Sequence, residues 1–302
     1  MKKLKIVQIG ASGHYEYALD TAQKYGLDFA AIAPGDASED ISGATARLFA
    51  LGFSPKIYGD WKEMTDTEKP DIVIINSYMG YNADMCVYAL GRNINVFCEK
   101  PVATTLEGLE RVRTAYDKSS AKLTGMFGIL YAPHFETARR YIESGALGDV
   151  RLATAQKSYR LGVREPFYSS RELLGGMIPW VAIHAIDWIY ALCGFDFCSV
   201  TATHSRVGNG GNGDLEATAA MLFECGDGRA ATVTADYLRP SAAPTHDDDR
   251  IRIAGTRGII EVRGGKVYLL SDGGEEILPN AAPERELFEE FAFEICGDAS
   301  AA

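Results

Sequence analysis

The feature that most constrains this chain is the run Asp71-Ile72-Val73-Ile74-Ile75-Asn76. It is continuous and β-branched between its polar ends, the pattern of a buried strand. Comparable runs stand at Leu4–Ile9, Leu27–Ala33 and Asn95–Cys98. Helical patterns at Tyr15–Tyr25, Met79–Leu90 and Thr105–Lys118 alternate with them, the last with Thr104 or Thr105 near its N-cap. Strands alternating with helices build βαβ units around a parallel sheet.

After about residue 120 the pattern changes. Leu123–Leu130 reads as one more strand and Pro133–Ser144 as a helix. Strand-like runs then follow without helices between them: Val150–Tyr159, Ser199–Val207, Leu215–Phe223, Ala230–Tyr237, Arg250–Ala254, Gly258–Val262 and Lys266–Leu270. Turn signals such as Cys225-Gly226-Asp227-Gly228 and Gly264-Gly265 separate them, so an antiparallel sheet built from hairpins is expected. One helix, Pro179–Leu192, interrupts this part. The predicted architecture is α/β: an N-terminal Rossmann domain, parallel and doubly wound, over residues 1–122, and a C-terminal α+β domain with a large, mostly antiparallel open sheet over residues 123–302.

A length of 302 residues suits two domains, and 47% apolar with 24% charged residues supplies a real core. The formal net charge of −11 repels phosphate backbones, so no nucleic-acid partner is expected. Six cysteines without a CxxC pair read as free thiols of a reducing compartment, which predicts a cytoplasmic protein. No basic segment followed by an apolar run opens the chain, so no secretory signal is expected. The apolar stretch Ile178–Cys193 is short and carries His184 and Asp187, which argues against a membrane partner. The histidines show no HxxH or HxxxH spacing, and no metal site is expected.

Chemistry is expected at the ends of the parallel strands, where open α/β sheets bind ligands. Gly10-Ala11-Ser12-Gly13-His14-Tyr15 joins the first strand to the first helix, and such a turn lets backbone N–H groups approach a pyrophosphate. Its match to GxGxxG is poor, with Ser12 and Tyr15 in place of the second and third glycines. About 20 residues further on, a ribose-binding acid belongs at the end of the second strand. Asp36 is the acid nearest that place, and no arginine follows to bind a 2′-phosphate, so NAD is slightly favoured over NADP. Cys98-Glu99-Lys100-Pro101 ends another strand, and Pro101 stiffens the turn that presents the lysine.

These motifs occur in an order that resembles the Gfo/Idh/MocA family of NAD(P)-dependent oxidoreductases. The glycine turn, Pro70–Ile75 and Glu99-Lys100-Pro101 are followed by Gly145-Ala146-Leu147-Gly148, Gly175-Gly176, His184-Ala185-Ile186-Asp187 and the run Arg250–Gly258. The resemblance implies hydride transfer between a nicotinamide and a hydroxyl or carbonyl carbon of a sugar, polyol or inositol-like substrate. It assigns Lys100 to the reacting oxygen and the nicotinamide, and His184 to acid–base work. That division is chemically sound, because a histidine can take the hydroxyl proton and a lysine can stabilise the developing alkoxide. Gly10, Ser12, Gly13, His14, Asp36, Asn76, Ser77, Tyr78, Glu99 and Lys100 are then the expected cofactor contacts. Tyr131, Trp180 and Asp187 are the expected substrate contacts. The family's open sheet often forms its oligomer interface, which implies a homodimer or homotetramer. Ala217, Ala219 and Met221 on one strand, with Ala231, Val233 and Ala235 on its neighbour, are expected to form the exposed face that associates.

The departures from the family pattern count too. Trp180 stands where many members have Asp, Leu130-Tyr131 where many have Arg, and Asn82 where many have His. Residues 180, 184 and 187 fall on one helical stripe, so Trp180 faces whatever His184 faces. A lost acid and an eroded glycine turn also fit a second reading, a catalytically impaired, cofactor-binding regulator or sensor on the same fold. Retention of Lys100 together with His184 points to the enzyme.

Overall fold

In the computed structural model, residues 3–297 are described. The chain divides into two compact units: residues 1–128 with 172–175 and 285–302, and residues 129–171 with 176–284.

The first unit holds a six-stranded parallel sheet. Its strands are β1 (Lys5–Gly10), β2 (Asp28–Ala33), β3 (Lys56–Ile57), β4 (Ile72–Asn76), β5 (Asn95–Cys98) and β6 (Leu123–Gly125), in the order β3-β2-β1-β4-β5-β6. The helices between them are α1 (Leu19–Tyr25), α2 (Ser42–Ala50), α3 (Trp61–Glu68), α4 (Asn82–Leu90) and α5 (Leu106–Asp117). Every residue of β4 is buried, as a strand covered on both faces must be. Thr105 caps α5 by accepting the Gly108 N–H at 3.0 Å. The strand order reverses between β1 and β4, where Gly10 lies beside Asn76. The chain leaving β1, β4 and β5 therefore gathers the glycine turn, Ser77 and Glu99-Lys100 at one edge of the sheet.

The second unit holds an eight-stranded sheet. It contains β7 (Val150–Tyr159), β8 (Phe197–Ser205), β9 (Thr218–Cys225), β10 (Ala230–Asp236), β11 (Asp247–Gly255), β12 (Gly258–Arg263), β13 (Lys266–Ser271) and β14 (Gly274–Leu278). Its helices are α6 (Pro133–Glu143) and α8 (Ile183–Cys193); the short helix α7 (Arg171–Leu174) belongs from residue 172 to the first unit. Two hairpin ladders, β8-β9-β10 and β11-β12-β13-β14, are antiparallel as the turn signals predict. Between them β7 pairs antiparallel with β11 but parallel with β10, because it enters through a long helical connection and no hairpin sets its direction.

Three expectations are corrected. The boundary at 122/123 is displaced, since Leu123–Gly125 pairs with β5 and so extends the first sheet. The last helix, α9 (Leu287–Ile295), returns to that unit and sets Phe288 and Phe291 against Phe97 at centroid distances of 4.9 and 5.6 Å. Leu123–Leu130 is a strand only to Gly125, and Gly128–Tyr131 is a 3₁₀ turn. Finally, Ala217, Ala219, Met221, Ala231, Val233 and Ala235 are buried, and α8 packs on β7 and β10 on this side of the sheet. Alternation identified the apolar face of these strands, but that face is covered by the chain's own helix. The open face carries Leu152, Leu222 and Leu270. The helical stretch Arg171–Cys193 is long and apolar enough to cross a membrane by length and composition; Ala185, Trp188 and Ile189 within it are fully buried.

Candidate active site

In the first unit, the turn after β1 needs its glycines. Gly10 has φ +77° and Gly13 φ +79°, both in the left-handed region. A Cβ on Gly10 would lie 2.5 Å from the Asn76 carbonyl, and one on Gly13 2.1 Å from Glu99 Oε2. The turn is tied down from two sides. Ser12 N–H donates to the Asn76 carbonyl at 2.6 Å, and Asn76 Nδ2 donates back to the Ser12 carbonyl at 2.9 Å. His14 N–H donates to Glu99 Oε2 at 2.6 Å, and His14 Nδ1 lies 2.8 Å from the same oxygen.

Glu99 is fully buried and Lys100 is 2% exposed. Burial works to raise the Glu99 pKa, but His14 and the Lys100 cation outweigh it and hold the carboxyl below the usual range. Glu99 Oε1 accepts the Lys100 backbone N–H at 2.9 Å. Asn82 braces this turn by donating to the Glu99 and Pro101 carbonyls, both at 3.0 Å. Gly10, Ser12, Gly13, His14, Asn76, Ser77, Glu99 and Lys100 thus share one end of the sheet. Tyr78 lies beside them, with its hydroxyl 3.4 Å from Ser38 Oγ.

Asp36 does not join this group. It is half-buried, and its carboxylate turns back to Ser38, whose hydroxyl and N–H donate at 2.6 and 2.9 Å and lower its pKa. The acid at the glycine turn is Glu39. It accepts from Ala11 N–H (3.2 Å), Ser12 Oγ (3.3 Å), Gly35 N–H (2.9 Å) and Ser77 Oγ (3.1 Å). Burial raises its pKa against those four bonds. Spacing from the glycines misses Glu39, because the loop Pro34–Asp40 folds back on itself and brings a later residue to the turn.

In the second unit, α8 is preceded by a π-helical turn over Ile178–Ala182. Wider turns of this kind shift the register of a helix and recur at functional sites. Trp180, on that turn, is 7% exposed, and its ring meets Tyr168 edge-on at 5.9 Å. Because it stands in the wider turn, the stripe expected for residues 180, 184 and 187 is not a regular i, i+4 row. His184 is 1% exposed. Burial pushes Asp187 up to about 7, and its Oδ2 has no hydrogen-bond partner among the described residues. Tyr131 ends the 3₁₀ turn before α6. A feature the sequence hides is Lys157, which alternation places on the inner face of the sheet. It is buried, pairs with Asp249 at 2.5 Å and lies 5.4 Å from the Trp188 ring centroid. No cluster of metal ligands occurs among the described residues.

A parallel sheet with a glycine turn at its switch point, and a buried Glu-Lys pair at the next strand end, define a nucleotide-binding oxidoreductase unit. Residues 5–127 match the model of an oxidoreductase family with an NAD-binding Rossmann fold, and residues 135–261 match the Gfo/Idh/MocA C-terminal domain. The chain belongs to the Gfo/Idh/MocA family. It is 47% identical to an oxidoreductase from Thermotoga maritima, with a TM-score of 0.95 over 98% of this chain and 90% of that one. A levoglucosan dehydrogenase solved with NADH and levoglucosan shares the fold at 19% identity and TM-score 0.78, over 92% of this chain and 80% of that one. Among curated relatives, trans-1,2-dihydrobenzene-1,2-diol dehydrogenase of Xenopus tropicalis is 21% identical over 83% of this chain and 72% of its own. Inositol 2-dehydrogenase of Rhizobium meliloti is 25% identical over 63% of this chain and 56% of its own. The matches thus span between about half and three-quarters of these relatives.

Proposed function

We propose that this chain is a nicotinamide-dependent dehydrogenase acting on a CH–OH group of a sugar, polyol or inositol-like substrate. The observation that carries the proposal is the Glu99-Lys100 turn, a buried carboxylate and a buried lysine joined to the glycine turn through His14. Relatives named as inositol and diol dehydrogenases support the substrate class.

The residues of the first unit fit a dinucleotide. Gly10 and Gly13 let the turn pack directly on Asn76 and Glu99, and the turn leads into the first helix, where a pyrophosphate would be favoured. Glu39 takes the ribose role expected of Asp36. Its carboxylate already accepts from two hydroxyls, Ser12 Oγ and Ser77 Oγ, so it would suit ribose hydroxyls, and its charge would disfavour a 2′-phosphate. NAD is therefore the preferred cofactor.

When bound, the nicotinamide supplies the hydride acceptor. Lys100 holds a positive charge toward the substrate oxygen and lowers the cost of the developing alkoxide. His184 takes the hydroxyl proton, and its near-complete burial keeps bulk water from competing for it. Asp187 is a second group able to exchange a proton near neutrality. The exposed Leu152 and Leu222 support association with a second copy through the open sheet face, and the free cysteines support the reading of a reducing, cytoplasmic setting. A fluorescence-monitored NADH titration followed by a polyol panel at the nicotinamide absorbance tests the proposal.

A further inference from the structure

Two arginines of the second unit lie outside the machinery described so far. Arg160 follows β7 and Arg164 stands in the loop beyond it, with Gly162 at φ +58° between them. Both are half-buried. The Nε of each is buried and has no hydrogen-bond acceptor among the described residues. Arg164 donates one Nη2 bond, at 2.8 Å, to the Arg160 carbonyl. Its guanidinium lies 4.6 Å from the Tyr237 ring centroid and 5.3 Å from that of Tyr168. Tyr168 in turn meets Trp180 at 5.9 Å, so Arg164 adjoins the helical turn that leads to His184, and both arginines act on His246.

The acids nearby are mostly engaged elsewhere. Asp249 is paired with Lys157 at 2.5 Å, and Asp248 with Arg250 at 2.8 Å and Arg239 at 3.4 Å. Asp236 accepts from Ser158 Oγ at 2.7 Å and Leu238 N–H at 2.9 Å. Asp247 faces His246 together with both arginines, and among the described residues no carboxylate forms an ion pair with Arg160 or Arg164. The excess positive charge is felt by His246, whose pKa is lowered first by burial and then by Arg164, with Arg160 and Lys157 adding to it and Asp247 opposing. A buried guanidinium N–H without an acceptor is costly, and the acceptor it matches is a planar or tetrahedral anion.

We propose that Arg160 and Arg164 bind an anionic substituent of the substrate, which makes the preferred substrate an acidic sugar rather than a neutral polyol. The rings of Tyr168 and Trp180 then supply the apolar wall for the sugar itself. The proposal rests on the dehydrogenase reading for turnover, but not for binding.

The test measures both in the full chain. Binding is followed by tryptophan fluorescence and calorimetry with NADH present, and turnover by nicotinamide absorbance with NAD. The probes are glucuronate and gluconate, their neutral counterpart glucose, myo-inositol, and glucose 6-phosphate. We expect at least one anionic probe to bind about 10-fold or more tighter than its neutral counterpart. Glucuronate and glucose 6-phosphate separate a carboxylate from a phosphate. Arg164→Gln should remove that preference and leave neutral-sugar binding unchanged, while Arg164→Lys should keep part of it. A circular dichroism melt confirms that each variant is folded, and Arg160→Gln serves should Arg164→Gln fail to fold. Preferential binding of an acid without turnover would uphold the anion site and sink the dehydrogenase reading. Turnover of neutral polyols with no preference for acids, or no binding of any anionic probe, would overturn the anion site.

Discussion

Glu99 and His14 are joined twice through a single atom: Glu99 Oε2 accepts the His14 backbone N–H at 2.6 Å and lies 2.8 Å from the ring Nδ1. This contact couples the glycine turn after β1 to the lysine-bearing turn after β5. Glu99→Gln keeps the shape but gives up the charge, so the turn should loosen. NADH Kd should rise about 10-fold, roughly the loss of one charge-assisted hydrogen bond. The sign of the pH effect follows from the direction of the shift. Glu99 is held below its ordinary pKa, so its stabilising contribution is present above the unfolded value and is lost as pH falls through the folded one. Acid melts below about pH 4.5 should therefore be less steep for Glu99→Gln than for wild type.

Gly13→Ala forces a Cβ to within 2.1 Å of the same carboxylate, at a φ that alanine disfavours. The variant should lose NADH affinity by about 10-fold or more and melt earlier. A variant that binds NADH as wild type does would show that the turn is not the cofactor cradle.

Asp187 gives the opposite pH dependence. Its folded pKa of about 7 exceeds the unfolded value, so the native state holds the extra proton between about pH 4 and 7. Stability should fall as pH rises through that window and level off above it. Asp187→Asn should remove this slope and raise the melting temperature at pH 8 by roughly 2 °C or more. Equal slopes in both proteins would contradict the raised pKa.

The open face of the second sheet carries Leu152 at 43% and Leu222 at 45% exposure. Light scattering at micromolar concentration should find a dimer or tetramer, and Leu152→Asp with Leu222→Asp should yield monomers. A monomeric wild type would refute association through this face.

Much of the fold is legible in the sequence, because each parallel strand ends in a residue with a distinct job. Gly10, Asn76 and Glu99-Lys100 mark the ends of β1, β4 and β5, and regular βαβ topology brings those ends together without further information. Four things are not legible, each for a physical reason. Glu39 replaces Asp36 because a loop, not a strand, decides which acid reaches the turn. The alternation in Ala217–Met221 and Ala231–Ala235 shows that one face is apolar, but not whether a helix or a second chain covers it. Lys157 alternates inward among alanines, and only the register with Asp249 on β11 reveals the partner that makes its burial tolerable. The π-helical turn before His184 likewise has no signature in a periodicity of 3.6.

Lys100→Met and His184→Ala separate binding from chemistry. Each should leave NADH affinity nearly intact and lower turnover by about 10²-fold or more. Trp180→Asp introduces the acid that many members carry; with Trp180 as a wall for the sugar, it should raise KM without raising kcat.

The central claim, an NAD-preferring dehydrogenase whose chemistry depends on Lys100, is tested most directly by one paired measurement. Wild type and Lys100→Met are titrated with NADH and NADPH by fluorescence, then assayed with the sugar panel at the nicotinamide absorbance. The account predicts micromolar NADH binding in both proteins, weaker NADPH binding, and sugar oxidation by the wild type that Lys100→Met nearly abolishes. Failure of NADH and NADPH to bind below millimolar, or sugar oxidation that Lys100→Met leaves unchanged, would contradict it.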